Sequence, residues 1–187
     1  MIKKPAIYAY GLSKSLTWML FQHYCNKIDI PLAKFVIPNP FGSLEESSRL
    51  IPYLMNSWLT NQTPVIDSPS YIRDNIPVTL LAKSYAWLIN NLDINKVFQP
   101  SGYVGSQKKF VQKVMTEMSS RFNKKLNVTF KKQSFFTEPR IRTNSDNLNW
   151  QEMGWNESFF WDQLAEYYQT IHGVAQTSLK KSELIIC

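Results

Sequence analysis

Between residues 9 and 27 the apolar positions Leu12, Leu16, Met19, Leu20 and Tyr24 recur along one helix face, and Trp18 and Phe21 widen it. The spacing predicts a helix over about 9–27, buried on more than one side. From Pro31 to Ile37 the pattern changes to a short, nearly continuous apolar run, Leu32, Ala33, Phe35, Val36 and Ile37. Such a run predicts a strand inside a covered parallel sheet. Pro38-Asn39-Pro40-Phe41-Gly42 reads as a stiff turn closing that strand. A second helix should then reach about Thr60, with Leu50, Leu54, Trp58 and Leu59 on its apolar side. Ser43 or Ser47 would cap it, and Glu45 and Glu46 would sit in its first turn, where the dipole favours anions. Pro52 falls early in it or at a kink.

Further along, Pro64–Ile66 is a short strand candidate, and Tyr71 to Val78 is extended and leads into a helix over about 78–91. Lys96–Gln99 is another short strand. Pro100-Ser101-Gly102-Tyr103-Val104-Gly105 reads as a loop before a helix ending near Phe122. Asn127–Lys132 alternates Val128 and Phe130 with polar residues, as a strand does. After Thr137-Glu138-Pro139-Arg140-Ile141-Arg142 comes an Asn/Asp-rich turn, then a terminal helix over about 157–172 and a frayed tail beyond Gly173. Strands alternating with helices predict an α/β chain.

Composition narrows the field. The 187 residues, 44% of them hydrophobic, suffice for one globular core. No apolar run has membrane-spanning length, so no membrane partner is expected. The start, Met1-Ile2-Lys3-Lys4-Pro5, lacks a signal-peptide core, and Cys25 and Cys187 match no metal or redox spacing. A cytoplasmic setting and no metal are the resulting expectations. The net charge of +7 raises nucleic acid as a partner. The lysines are scattered, however, and no recognition motif accompanies them. A solvated basic face or an anionic small ligand such as a diphosphate accounts for the charge without nucleic acid.

The candidate chemistry begins at Tyr10 and Lys14. On a helix, positions i and i+4 share a face. An ammonium there favours phenolate and lowers the tyrosine pKa, which suits proton transfer near neutral pH. With nine tyrosines in the chain, a chance match is the plainer reading of the spacing alone. Gly102-x-x-Gly105 between strand and helix has the form of a phosphate-binding turn, but it lacks a third glycine and a Walker lysine, and loop geometry is the plainer reading. Arg73-Asp74 reads as a surface ion pair or as binding residues at a strand end. Arg140 and Arg142, two apart on a strand, would face the same way and grip a phosphate, or stand solvated. His23 and His172 have no partner at ligand spacing, and Trp150, Trp155 and Trp161 read as packing residues.

Taken in order, four segments resemble the extended short-chain dehydrogenase/reductases, the NAD-dependent epimerase/dehydratase family acting on nucleotide sugars. Tyr10-Gly11-Leu12-Ser13-Lys14 is similar to the family's Tyr-Gly-x-Ser-Lys catalytic helix. Phe35-Val36-Ile37-Pro38-Asn39-Pro40-Phe41-Gly42 is similar to its Asn-x-Tyr-Gly turn. Ile72-Arg73-Asp74-Asn75-Ile76-Pro77-Val78 is similar to its Arg-Asp-Phe-Ile-x-Val segment. Met153-Gly154-Trp155-Asn156, followed by a helix, is similar to its late Leu-Gly-Trp-x-Pro signature. Val36 stands where many relatives carry Arg, Phe41 replaces the common Tyr, and Pro77 interrupts the third motif.

The resemblance implies Tyr10 as proton donor or acceptor at the sugar hydroxyl, and Lys14 as the residue holding the nicotinamide ribose. It implies Pro38 against nicotinamide, Asn39 against the nucleotide sugar, and Arg73 on the diphosphate with Arg142 and Arg140 helping. The implied fold is the C-terminal part of a Rossmann-like extended short-chain dehydrogenase with its small α/β substrate domain. Residues 1–40 would be the Rossmann remnant and 41–175 mainly the substrate domain, with 78–100 able to return to the Rossmann sheet, and 176–187 a tail. The glycine-rich dinucleotide turn and the acidic or basic residue that selects NAD or NADP have no counterpart here. NAD or NADP would therefore bind only if an N-terminal half is supplied, by a separately encoded chain or otherwise, and a homodimer is the other partner expected. A non-catalytic nucleotide-sugar-binding module and an interaction protein derived from that family remain the alternatives.

Overall fold

A computed structural model describes the backbone of residues 9–91 and 97–183, and side chains as far as residue 173. The chain runs α1 (Ala9–Lys27), β1 (Lys34–Phe35), β2 (Asn39–Phe41), α2 (Leu50–Leu59), β3 (Val65–Ile66), β4 (Ile72–Pro77) and α3 (Val78–Asn90). Then come β5 (Val97–Phe98), β6 (Pro100–Ser101), β7 (Tyr103–Ser106), α4 (Gln107–Arg121), β8 (Thr129–Phe130), β9 (Ile141–Arg142), β10 (Asp146–Asn147) and α5 (Glu157–Glu183). The α/β alternation read from the sequence is thus present.

Strand β4 organises the main sheet. β2 runs parallel to it, with Asn39 opposite Asn75 and Phe41 opposite Pro77. β7 runs antiparallel, with Ile72 opposite Ser106 and Asn75 opposite Tyr103. β9 pairs in parallel with Ile72 and Arg73, so β9 and β2 lie end to end along one edge of β4. The other ladders, β1–β5, β3–β8 and β6–β10, are parallel and two residues long.

Three helices bury one stripe each around this sheet. α2 contributes Ile51, Leu54, Met55 and Trp58, and α4 contributes Phe110, Val111, Val114 and Met118. α5 adds Phe160, Trp161, Leu164 and Tyr168. Positions three, four and seven apart share a helix face, which is why these residues meet. Phe41 stands at the centre, its ring 5.1 Å from Phe110, 5.4 Å from Phe160 and 5.7 Å from Trp161, centroid to centroid. Each such side chain contributes about 1.5–3 kcal/mol on burial.

Several local expectations are corrected. Helix α1 has the expected limits but none of its residues is buried. The stretch expected to be a turn at 38–42 contains strand β2, and Pro40 is tolerated there because β2 is an edge strand. α2 starts at Leu50, capped by neither Ser43 nor Ser47, and Arg49 at its N-cap makes no side-chain cap bond. Glu45 is engaged in the preceding loop instead: it accepts from the Gly42 N–H at 2.9 Å and pairs with Arg49 at 2.9 Å. The expected loop at 100–105 holds β6 and part of β7. α5 continues to Glu183 rather than ending at 172. The expected strand start at Lys96, the segment Met1–Pro5 and Cys187 lie outside the described residues.

Candidate functional site

Two recesses lie on either side of a three-residue link. The first is a cleft of about 200 Å³ lined by Asn39, Phe41, Arg49, Arg73, Asn75 and Gln107, with Pro40, Glu45, Leu50, Ile51 and Phe110 completing the wall. The strand register explains the meeting of Asn39 and Arg73, since β2 continues along β4 from the point where β9 stops. The cleft therefore sets two guanidinium groups and three side-chain amides above an aromatic floor. Such a set suits a ligand with anionic oxygens and hydroxyls.

Arg73 is held firmly. Its Nη1 donates to the carbonyls of Ile72, Pro139 and Arg140 at 2.9, 3.2 and 3.0 Å. Its guanidinium stacks 4.3 Å from the Tyr71 ring centroid, and Nη2 reaches Glu138 at 3.4 Å. Burial, followed by the charge of Arg142, pushes its pKa down from the ordinary arginine value. Arg142 pairs with the same Glu138 oxygen at 2.9 Å. Arg140 lies 5.5 Å from the Phe136 ring centroid. Neither Arg140 nor Arg142 lines the cleft, although β9 sets Arg142 opposite Arg73 and the Arg140 carbonyl, just before β9, accepts from Arg73. The carboxylate in the cleft wall, Glu45, has its pKa raised by burial, which outweighs its bonds to Gly42 and Arg49.

The second recess, about 650 Å³, is lined by Tyr10, Lys14, Thr17, Trp18, Phe21 and the run Leu32 to Ile37. Tyr10 and Lys14 do share a helix face, as spacing required: the Lys14 ammonium lies 5.5 Å from the Tyr10 ring centroid. Tyr10 is 74% exposed. Pro38 lines neither recess. It sits in the link between Ile37, in the wall of the second, and Asn39, in the wall of the first.

Sequence reading missed the polar clamp behind these recesses. Asp74 is 1% exposed, so it does not form a surface pair with Arg73. Its two oxygens accept from the Gly102 N–H at 2.8 Å and the Asn144 N–H at 3.2 Å. Alternation along a strand sends Arg73 and Asp74 to opposite faces, and that alternation was the available signal. Asn144 had no such signal. Gly102 is not a phosphate turn here: a Cβ would lie 2.4 Å from the Asn75 carbonyl oxygen and 2.8 Å from the Ile76 Cα, so the residue serves close strand approach. Trp155 and Trp161 are buried and Trp150 packs against the core, as read from the sequence. Among the described residues no cluster of His, Cys, Asp and Glu is placed to hold a metal, and no helix is long and apolar enough to cross a membrane.

No protein-family model matches this sequence, and no curated protein matches it. Solved structures do match. UDP-N-acetylglucosamine 4-epimerase from Methanobrevibacter ruminantium M1 superposes with a TM-score of 0.65 at 15% identity, over 91% of this chain and 59% of that one. UDP-glucose 4-epimerase from Thermotoga maritima gives 0.64 at 14% identity, over 87% and 53%. dTDP-glucose 4,6-dehydratase from Bacillus anthracis str. Ames, solved with NAD, gives 0.64 at 14% identity, over 91% and 55%. The chain therefore has the fold of the C-terminal part of these epimerases and dehydratases, and spans little more than half their length.

Proposed function

We propose that these 187 residues form the substrate-side part of a nucleotide-sugar epimerase or dehydratase. One observation carries the reading: Asn39 and Arg73, from segments 34 residues apart, line one cleft, and a short link joins it to the recess of Tyr10 and Lys14. In this reading Arg73 takes the diphosphate, with Arg142 on β9 and, less directly, Arg140 just before it contributing positive charge. Asn39 meets the sugar. Tyr10 exchanges a proton with a sugar hydroxyl, and Lys14 holds the ribose next to it.

The recess at Tyr10 and Lys14 fits the nicotinamide end of NAD or NADP, since it combines a hydroxyl and an ammonium with the apolar walls of Trp18, Phe21 and Phe35. When bound, that dinucleotide supplies the redox chemistry. The sequence has no glycine-rich turn for the adenine end. Catalysis is accordingly assigned to an assembly in which an N-terminal half, or a chain carrying one, completes the cofactor site. A homodimer is compatible with the exposed apolar face of α1. That face also motivates a second reading, an interaction protein that keeps the fold without the reaction.

Calorimetry with UDP-glucose, UDP and dTDP separates these. The substrate-side reading expects saturable binding, weakened about tenfold or more by Arg73→Ala. Absence of binding by the wild-type chain, together with a stable oligomer in solution, would favour the interaction protein. Turnover restored by a supplied N-terminal half should vanish in Tyr10→Phe, and persistence of turnover removes Tyr10 from the mechanism.

A further inference from the structure

Among the described residues no backbone ladder joins the β1–β5 pair to the sheet built on β4. Yet the second recess hangs on β1 and the cleft on β2 and β4. Any ligand that reaches from Arg73 to Tyr10 needs those two units held in a fixed relation. Two covalent connections join them: the link Ile37-Pro38-Asn39, which has no ladder partner until Asn39 meets Asn75, and the run from β5 through Gln99 and β6 into β7.

The rings of Phe35 and Phe98 pack on Tyr85 and Trp87 of α3, and Asn144 adds a directional, hydrogen-bonded tie. One Nδ2 proton goes to the Val36 carbonyl at 2.8 Å, on the residue that follows β1. The other goes to the Pro100 carbonyl at 2.9 Å, on β6. Its backbone N–H donates to Asp74 at 3.2 Å, and the other oxygen of Asp74 takes the Gly102 N–H at 2.8 Å. Thus one residue, through its side chain and its own backbone, joins the β1 unit, β6 and the centre of β4. An amide is the group that fits: it offers two donors in fixed directions to two carbonyls. A carboxylate at this position would set oxygen against oxygen, and alanine would remove both bonds.

We propose that Asn144 is a positioning residue that keeps the recess of Tyr10 and Lys14 in register with the cleft of Asn39 and Arg73. The proposal rests on the nucleotide-sugar reading for its ligand, and on geometry alone for the clamp. Nothing in the residue's sequence context marks it, and its side chain lines neither recess.

The test compares a ligand that fills the cleft with one that spans both recesses. Calorimetry on the full chain should show UDP bound within about twofold of wild type by Asn144→Ala and Asn144→Asp, and UDP-glucose weakened about tenfold or more. Equal losses for both ligands, or no loss for either, overturn the proposal. A general loss of fold would move both ligands together, so the split separates positioning from stability. Asn144→Ala carries the comparison if Asn144→Asp does not fold. If the wild-type chain binds neither ligand, the nucleotide-sugar reading fails, and amide hydrogen exchange decides the clamp by itself. Asn144→Ala should then speed exchange at Val36, Ile37 and Asn39 about tenfold while leaving Ile76 and Val114 unchanged. A uniform rise, or none, overturns it.

Discussion

The two ends of this molecule have similar apolar content and opposite fates. Helix α1 exposes Leu12, Leu16, Met19, Leu20, Phe21 and Tyr24, each more than half. Helices α2, α4 and α5 bury Trp58, Val111, Val114, Met118 and Trp161 almost completely. The difference lies in the neighbours. The three inner helices share one buried cluster with the sheet, α4 and α5 meeting at Phe41 and α2 packing on α5, whereas none of the residues of α1 is buried. An apolar stripe is therefore a demand for a partner, and it stabilises a fold only where the partner is present. The candidate residues straddle this divide: Asn39 and Arg73 stand on the packed side, Tyr10 and Lys14 on the uncovered one.

The largest effect that could break the comparison is in the core. Trp161→Ala should cost about 3–5 kcal/mol in denaturant unfolding, while Phe21→Ala should change stability by about 0.5 kcal/mol or less. A loss above about 1 kcal/mol at Phe21 would mean that α1 buries more than its exposed face indicates. Next comes the glycine pair. Gly102→Ala meets backbone atoms of Asn75 and Ile76 and should cost about 1–3 kcal/mol. Gly105→Ala has no heavy atom nearer than the Lys109 Cβ at 3.8 Å and should stay within about 0.5 kcal/mol. Equal costs at both positions would argue against close strand approach as the reason for Gly102.

The smallest effect concerns what packing does to charge. Glu157, at the start of α5, takes the Tyr103 hydroxyl at 2.8 Å and pairs with Lys113 at 2.7 Å. Burial alone would raise its pKa, but Lys113 and Tyr103 outweigh burial and hold it below the usual carboxylate value. Glu45 is shifted the other way, upward, by burial. A lowered folded value gives stability that is present above the unfolded carboxylate value, about 4.3, and is lost as pH falls through the folded one. A raised value gives stability present below the unfolded value and lost as pH rises through the folded one. Wild type should therefore gain stability relative to Glu157→Gln as pH rises from about 3 to 5, and lose it relative to Glu45→Gln from about 4 to 6. Unfolding midpoints measured across that range check both slopes, and slopes of one sign would contradict the assignment.

Much of this was legible along the chain. Apolar periodicity placed α1 and α3 closely, because helix spacing survives whether or not the face is covered. It could not say that α1 stays exposed, since burial depends on elements far away in sequence. The short strands were harder: β2 contains Pro40 and a flanking Pro38, and local turn chemistry gives no hint of the parallel partner β4. The site divides in the same way. Tyr10–Lys14 follows from spacing within one helix and Arg73 from its motif. Asn144 acts through carbonyls of Val36 and Pro100, 108 and 44 residues away, and no local pattern encodes such distances.

Trp18 has an optical consequence. It lines the recess beside Lys14, with the Lys34 ammonium 5.0 Å from its ring centroid, while Trp58, Trp155 and Trp161 are sealed in the core. Trp87, 43% exposed, and the half-buried Trp150 emit as well, so the recess indole is isolated as the emission that Trp18→Phe removes. Anything that fills the recess then alters that component of the emission, and comparison of the native protein with Trp18→Phe reads occupancy without a label.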